Sequence, residues 1–272
     1  MLARVSAAIS LVFAAAPAVA SGPNQSATQP VMVTPAPAPE TPRLMFTLRG
    51  GVAMNPEYFG SDEHTAGPDL GFRFNYLSLR NGRSLGNPDP WADDMGLTFG
   101  GSLRFIQERK TDDFDELAGL DDIDAALELG VSMRYGTENF AAFGAARRGF
   151  GGHEGWVGEV GADAILHPTD RLRLSMGPRL FFGDDSYSDT YFGVTASEAS
   201  AAMPAYDPDG GMVSAGVEIG ARYQINDVWG LEGAVTWERF TDDAANSPIV
   251  EQGSDEQWGV RFGVTRVFSI GG

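Results

Sequence analysis

The sequence predicts an all-β fold: a closed antiparallel transmembrane β-barrel of about ten strands, preceded by an export signal and a tether. Three observations carry this prediction. Two-residue alternation recurs along the chain, short and long connections alternate, and no apolar run after the first residues reaches the ~18 residues of a membrane-spanning helix. In residues 212–225 apolar side chains fill every second position, with Glu218 and Arg222 between them. A second face of Gly, Ser, Glu, Arg and Gln suits a crowded polar interior, so the apolar face is predicted to contact lipid.

The first 42 residues are predicted to lie outside the barrel. Residues 1–20 have the features of a cleaved secretory signal: Arg4, a short apolar core at 9–16, and an A-x-A site ending at Ala20. Residues 21–42 contain six prolines and are predicted to be a disordered Pro/Ala-rich linker. The barrel is predicted to occupy residues 43–272. The chain has no cysteine, which excludes a small disulfide-stapled domain.

Ten alternating segments follow, each about long enough to cross a bilayer at a tilt. They are residues 44–52, 70–76, 95–105, 127–135, 139–149, 156–166, 172–182, 213–225, 229–237 and 258–268. An even number places both ends of the barrel in the periplasm. We expect a bulge at Pro178, because proline removes one donor from the ladder.

The connections between these segments alternate in length. Tight turns are expected at 136–138, 167–170 and 226–227, and the longer connections are residues 110–124, 184–211 and 242–255. Short periplasmic turns and long external loops are typical of outer-membrane barrels. Residues 81–93 are long for a periplasmic turn. An extra hairpin there, or within 184–211, is the alternative and would give twelve strands.

Aromatic side chains near strand ends are predicted to form the two interfacial girdles of a membrane barrel. These residues are Tyr135, Trp156, Phe182, Tyr223, Trp229, Trp237, Trp258 and Phe268.

The face opposite the apolar one is predicted to carry a network of charges inside the barrel. Its members are Arg49, Arg73, Arg104, Arg134, Arg173, Arg179, Arg222, Arg261, Glu128, Glu159, Asp163, Glu218, Glu232 and Glu238. Arginine and carboxylate should pair there, because unpaired buried charge is costly. Two interpretations stay open: a salt-bridged structural plug, or a selective pore whose arginine rows attract anionic solutes.

Several segments have a more specific sequence. They are PEYFGSD at 56–62, LAGLDDIDAALELG at 117–130, GHEG at 152–155, GDDSYSDTYFGVT at 183–195, AYDPDGGM at 205–212 and DAANSPIVE at 243–251. In this order they resemble the MipA/OmpV family of outer-membrane proteins. The family-like loop residues are Pro56, Glu57, Tyr58, Gly60, Asp184, Asp185, Tyr187, Tyr191, Phe192, Gly193, Tyr206, Asp207, Ser247 and Pro248. Residues 191–194 could form a lid over the barrel mouth with 56–59 against it, or these aromatics could simply cap the core.

The resemblance implies an outer-membrane location and no catalytic residues to carry over. One branch of the family is described as a scaffold that brings a lytic transglycosylase and a murein polymerase together, and another as surface antigens and adhesins. The chain departs from outer-membrane barrels at its end, where Ser269-Ile270-Gly271-Gly272 follows the aromatic Phe268.

Functions other than that of an outer-membrane scaffold, channel or surface antigen have less support in the sequence. A lipid hydrolase would need a Ser-His-acid set, for which His64 and His153 are the candidates, while His167 is assigned to a turn. An acidic loop at 112–124 is interpreted as a solvated surface, with loose divalent-cation bridging to lipopolysaccharide as the alternative. The net charge of −18 argues against nucleic acid. We predict no enzyme activity, no cofactor and no metal site.

The prediction is therefore an outer-membrane scaffold in contact with lipid and lipopolysaccharide, with a murein polymerase and a lytic transglycosylase as partners. The alternatives, in order, are a narrow channel for small anionic solutes, a surface antigen or adhesin, and a lipid hydrolase.

Overall fold

A computed structural model describes residues 43–271 of the 272-residue chain. The predicted signal at 1–20 and linker at 21–42 lie outside the described residues. Residues 43–271 form eleven strands. They are β1 (Leu44–Pro56), β2 (His64–Ser78), β3 (Ser84–Gly86), β4 (Gly96–Ile106), β5 (Ala126–Gly136), β6 (Phe140–Gly151), β7 (Trp156–Thr169), β8 (Leu172–Gly183), β9 (Gly211–Gln224), β10 (Trp229–Phe240) and β11 (Glu256–Ile270).

The strands form one antiparallel sheet in the order β3-β2-β1-β11-β10-β9-β8-β7-β6-β5-β4. The first and last long strands pair with each other, with Leu44 opposite Ile270, so the sheet curls into a nearly closed barrel. All strands except β3 have 11–15 residues and match the ten alternating segments. The prediction of an antiparallel barrel with about ten strands is confirmed.

Two features refine that prediction. The three-residue β3 pairs only with Tyr76–Ser78 at the end of β2, so residues 81–93 contribute one short strand to the sheet. The ladder order begins at β3 and ends at β4, and within residues 43–271 no ladder joins β2 to β4. We call the gap between β2 and β4 the seam.

The barrel is apolar outside and polar inside. Along β5, Leu129 and Val131 on the outer face are 43% and 68% exposed, whereas Glu128 on the inner face is 0% exposed. This is the reverse of a water-soluble sheet, in which the apolar face is buried. Apolar and polar residues therefore alternate along each strand because one face contacts lipid and the other faces a packed polar lumen.

The aromatic residues near the strand ends fall into two groups, one at each end of the barrel. Trp156, Phe182, Trp237 and Trp258 lie at one end, and Tyr135, Tyr223, Trp229 and Phe268 lie at the other. Arg266 stacks its guanidinium over Trp229 and Phe268, with centroid distances of 5.0 and 4.9 Å. β11 continues past Phe268 as far as Ile270, so the four residues after the aromatic begin as strand.

The expected bulge at Pro178 was wrong. The ladder between β7 and β8 keeps one register through this position, and the irregularities lie at Leu166/Thr169 and at Phe181/Phe182. Arg179 explains how proline fits without a bulge. Its Nη1 donates to the carbonyl of Ala162 at 3.3 Å, so that oxygen has a donor although proline has no N–H.

The long connections contain the helices. These are α1 (Asp185–Phe192), α2 (Asp242–Ala245), α3 (Pro248–Glu251) and two 3₁₀ turns at Thr111–Asp113 and Asp115–Leu117. Residues 184–211 thus contain α1 and a single bridge between Val194 and Tyr206, and the alternative of an extra hairpin is wrong there. None of these helices has the length and apolar character needed to cross a membrane.

The strand directions sort the connections into two sets. The loop end of the barrel carries residues 57–63, 107–125, 152–155, 184–210 and 241–255. The turn end carries 79–95, 137–139, 170–171 and 225–228. At each end of the barrel, one or more of these connections fold over the lumen.

Candidate functional site

The lumen contains two cavities of ≈ 540 and ≈ 500 Å³. The first lies toward the turn end and the second toward the loop end. Both are lined by Glu159, Arg179, Glu218 and Arg261, so these four side chains form the boundary between them. A barrel of this size leaves little free space inside. Charged side chains make up most of the lining of the turn-end cavity and about a third of the lining of the loop-end cavity.

Glu128 is the centre of the charge cluster nearest the loop end. Its Oε2 accepts from Arg147 Nε at 2.8 Å. Its Oε1 lies 3.5 Å from Arg104 Nη1 and 3.4 Å from His153 Nε2. Arg147 also reaches Glu159 at 3.2 Å. With two arginines around it, a fully buried carboxylate keeps its charge compensated.

Glu218 has the corresponding role in the middle of the barrel. It accepts from Arg179 at 3.3 Å and from Arg261 at 3.0 Å. Arg179 also donates to Asp163 at 2.8 Å and lies over the ring of Phe143 at 5.0 Å. The interactions link β7, β8, β9 and β11 across the lumen, so the charges brace the inside of the barrel.

A third group lies beside β1 and β2. Arg49 Nε is 2.7 Å from Asp69, and Arg49 Nη1 is 3.4 Å from Glu232. Arg73 donates to both oxygens of Glu232 at 3.2 Å. Glu238 accepts from Ser214 at 2.7 Å and has no arginine partner within the described chain.

Arg134 differs from the other predicted lumen arginines. Its side chain lines the larger cavity. Among residues 43–271 its guanidinium makes no hydrogen bond and has no carboxylate within 4.0 Å, whereas a carboxylate lies within that distance of Arg49, Arg73, Arg104, Arg173, Arg179, Arg222 and Arg261.

Residues 87–95, the plug segment, close the turn end of the lumen. Asp93 is its anchor: Oδ1 accepts from Arg173 Nε at 2.6 Å, and Oδ2 is 2.9 Å from His167 Nε2. Arg222 donates to the carbonyl of Trp91 at 2.8 Å. The ends of β7, β8 and β9 therefore hold one segment by three separate contacts.

Trp91 adds an apolar contact to this closure. Its indole packs against the buried cluster of Met45, Tyr76 and Val267, and Nε1 donates to the carbonyl of Asp227 at 2.9 Å. The ring lies where a Cβ at Gly230 would be, so glycine at that position makes room for it. The plug segment is thus fixed by both charge and packing.

A cap of folded loops covers the loop end. Asp184 begins α1 by accepting from the N–H of Tyr187 at 3.0 Å, and it also accepts from the N–H of Trp156 at 2.8 Å. Tyr187 and Tyr191 of α1 are buried, and Phe59 packs edge-on against Tyr191 with ring centroids 5.0 Å apart. The segments 56–59 and 191–194 do pack together, as part of a fixed core.

Polar contacts tie the remaining loops to this core. Ser247 Oγ donates to the carbonyl of Phe192 at 2.6 Å and begins α3 by accepting from the N–H of Ile249. Tyr206 donates to the carbonyl of Asp243 at 2.9 Å. Tyr58 donates to Glu116 at 3.0 Å. Loops from four connections therefore form one cap.

Each remaining family-like loop residue also lies in the cap. Pro56 ends β1, and the N–H of Glu57 donates to the carbonyl of Glu63. Gly60 has a positive φ of 101°, which favours glycine. Asp185 accepts from Gly210, Gly193 ends α1, and Pro248 opens α3. Asp207 lies beside Tyr206 in the same loop. The family-like loop residues thus lie together at one end of the barrel.

Several cap groups have shifted pKa values. Burial is the largest cause that raises the pKa of Tyr58 well above its usual range, and the neighbouring Glu116 is the next largest. Burial, together with the neighbouring Asp207 and Asp185, raises the pKa of Asp189. For Glu198, burial acts to raise the pKa, but hydrogen bonds from Thr195 and from the N–H of Asp121 outweigh it and lower the pKa.

The histidines do not form a Ser-His-acid set. His64 begins β2, with Nε2 3.2 Å from the carbonyl of Trp258. His153 is buried beside Glu128, between the rings of Tyr187 and Tyr191. Within the described chain neither ring bonds to a serine hydroxyl. His167 lies in β7 and contacts the plug segment, so its assignment to a turn was wrong.

Sequence reasoning missed Arg147, Asp69, Asp93 and His153 as members of the charge network. Arg147 lies in the Ala-rich β6, where the alternation is weak. Asp93 lies in a connection, and no local pattern predicts that it reaches the lumen. The available signal was length, because residues 79–95 are too long for a simple turn.

Comparison with known proteins supplies the family. The model of the MltA-interacting protein MipA family matches residues 48–268. The putative outer membrane protein YiaT of Escherichia coli K12 is 26% identical over 217 residues, which are 76% of this chain and 85% of YiaT. Outer membrane protein Omp26La of Vibrio anguillarum is 38% identical over 77 residues, which are 28% of this chain and 29% of Omp26La.

Solved structures that align with the chain include outer membrane protein OprG of Pseudomonas aeruginosa. It aligns with 84% of this chain and 97% of its own length, with a TM-score of 0.27 and 11% identity. The match to the family model spans most of the barrel, and the relatives are outer-membrane proteins. The chain is therefore an outer-membrane β-barrel protein that belongs to the MltA-interacting protein MipA family.

Proposed function

We propose that this protein is a non-conducting, non-enzymatic outer-membrane scaffold that binds murein-synthesising and murein-hydrolysing enzymes. The observation that carries the proposal is that a folded segment lies over each end of the lumen, the cap at one end and the plug segment at the other. A pore needs a continuous water path, and we infer that these two segments interrupt it. If the barrel does not conduct, its two ends are the surfaces where partner proteins would bind.

The turn end is the side proposed to face the periplasm, because outer-membrane barrels have their short turns there. That is also where murein enzymes work. The family name supports a lytic transglycosylase as one partner, since it describes interaction with MltA. Arg80 and Arg83 are exposed in the connection between β2 and β3 and supply positive charge at this end.

The test combines binding with conductance. Refolded protein is immobilised and exposed to a purified lytic transglycosylase and a purified murein polymerase, and the same preparation is inserted in planar bilayers. We expect retention of the enzymes, weaker retention by Arg80→Glu/Arg83→Glu, and no current. The matched control is Asp112→Lys/Asp113→Lys, which changes charge at the loop end. Steady current from the wild type, or equal loss of binding in both charge variants, would contradict the proposal.

A channel for small anionic solutes is the second candidate, because six arginines line the turn-end cavity, beside seven carboxylates. On this hypothesis the plug segment must leave the lumen before solute passes. The wild type would then show anion-selective current under some condition of voltage or salt. Permanent silence of a folded, heat-modifiable barrel would leave the scaffold as the function.

A further inference from the structure

The seam leaves two strand edges without a ladder partner at membrane depth. On β2, residues 64–74 pair only with β1, and on β4 every residue pairs only with β5. Unpaired N–H and C=O groups cost several kcal/mol each in hydrocarbon, so lipid-exposed sheet edges are not tolerated there. Some group that accepts and donates hydrogen bonds must satisfy them.

The outer face beside the seam is the most open apolar surface of the barrel. Leu70 and Phe72 of β2 are 80% and 69% exposed, and Phe99 of β4 is 76% exposed. Val131 and Val52, on strands with a neighbour on each side, are 68% and 63% exposed, so this openness is shared by the lipid-facing surface. It suits an apolar chain lying beside the seam.

The inner face beside the seam carries two arginines, in a cavity whose lining includes six arginines and seven carboxylates. Arg134 lies on β5, opposite Thr98 of the edge strand β4, and Arg73 lies on the other edge strand, β2. Both line the cavity of ≈ 540 Å³ at the turn end. Arg73 already binds Glu232, whereas Arg134 has no partner among the described residues. A guanidinium without a partner at the wall of a cavity is a site for an anion.

We infer that the seam binds one anionic phospholipid of the periplasmic leaflet, with its phosphate at Arg134 and its acyl chains along Phe72 and Phe99. The phosphate and ester oxygens accept from free N–H groups near the turn end of the two edges, and the hydroxyls of a glycerol headgroup donate to free carbonyls there, which offsets part of the cost of the open ladder. The turn-end position of the cavity selects the periplasmic leaflet. This site goes beyond the scaffold function and does not depend on it.

The experiment is native mass spectrometry of the refolded full-length protein in a non-ionic detergent, with phosphatidylglycerol as the probe. We expect one retained lipid per chain, and about tenfold weaker retention by Arg134→Gln, because a charge-assisted contact is lost. The matched control is Arg266→Gln, which removes an outward-facing arginine at the same end. Its retention should equal that of the wild type.

Two further arms separate the sources of the anion. Diacylglycerol with the same acyl chains lacks the phosphate and should not be retained, and inorganic phosphate should not displace the phospholipid. Arg134→Lys keeps the charge and should retain more lipid than Arg134→Gln. Heat-modifiable migration checks that each variant folds, and if Arg134→Gln does not, the lysine variant and the diacylglycerol arm carry the test.

Several results would overturn the inference. These are equal retention by Arg134→Gln and the wild type, equal loss in Arg266→Gln, displacement by inorganic phosphate, and absence of any lipid adduct. A lipid-free dimer would assign the seam to a second copy of the chain. Binding of murein enzymes by a protein that retains no lipid would refute this inference alone and leave the scaffold untouched.

Discussion

At the scale of the residue, one carboxylate organises the charge beneath the cap. Glu128 is fully buried and faces Arg147, Arg104 and His153 at once. Arg147 is itself nearly buried, with 4% of its side chain exposed. Removing one partner of such a pair leaves the other charge buried without compensation, which costs more than the pair contributes.

We therefore expect Glu128→Gln to lower the free energy of unfolding by on the order of 3 kcal/mol. The measurement is the urea unfolding transition of the refolded barrel, followed by tryptophan fluorescence. Glu138→Gln is the matched control, because Glu138 is exposed in the turn between β5 and β6, and it should change stability by less than about 0.5 kcal/mol. Similar transitions for the two variants would show that Glu128 is not a central charge.

At the scale of the element, the plug segment and the cap are held by few contacts each. Asp93 and Trp91 fix the plug segment, and Glu198 ties two loops of the cap together. Glu198 accepts from the N–H of Thr195 at 2.9 Å, in the arrangement of a capping box, and from the N–H of Asp121 at 2.7 Å. Each element should therefore respond to changes at these side chains.

The double variant Asp93→Asn/Trp91→Ala is expected to release the plug segment from Arg173, His167 and the Met45 cluster. The turn end of the lumen then opens, and its arginines lose a carboxylate. Brief anion-selective openings should appear in planar bilayers, where the wild type is silent. Asp89→Asn is the control, because Asp89 lies in the same segment and its side chain, among the described residues, bonds only to the N–H of Trp91. A silent double variant would mean that the cap alone closes the lumen.

The cap should loosen in acid, because the pKa of Glu198 is lowered in the folded protein. A lowered pKa stabilises the fold above the ordinary glutamate value of about 4.3, and that stability is lost as the pH falls through the folded value. Hydrogen exchange, corrected for its intrinsic pH dependence, should rise in residues 107–125 and 184–210 between pH 6.5 and 3.5.

Glu198→Ala should show the faster exchange at both pH values, while Glu154→Ala, an exposed change at the same end, should behave like the wild type. The same rise in cap exchange in all three proteins as the pH falls would contradict this role for Glu198.

How much of each element was predictable depends on whether it has a local period. The ten long strands were predictable, since lipid outside and a packed lumen inside impose alternation on every residue. The three residues of β3 are too few to carry a period. Asp93 and His153 reach the charge network from connections, so their partners are set by the closed barrel and by no spacing in the chain. Arg134 was predicted to face the lumen. Its lack of a carboxylate partner depends on the positions of all the lumen carboxylates, which only the folded barrel determines.

At the scale of the whole molecule, residues 43–271 supply both strands of every ladder and the three buried apolar clusters. A chain that begins at residue 43 is therefore expected to refold into the same barrel. Heat-modifiable electrophoretic migration and the urea midpoint should match those of the protein that carries residues 21–42. A chain that begins at residue 58, which lacks β1, is the control and should not fold. If the chain that begins at residue 43 failed to fold, the first 42 residues would contribute to the fold.

The pairing of β1 with β11 also determines when folding can finish. Leu44 lies opposite Ile270, so the ladder joins residues at opposite ends of the sequence. Contacts between residues so far apart in the chain form slowly, because a large loop must close before any hydrogen bond forms. Until residues 256–270 arrive during export, β1 and β10 each lack one ladder partner. A chain that ends before β11 should therefore aggregate or be degraded.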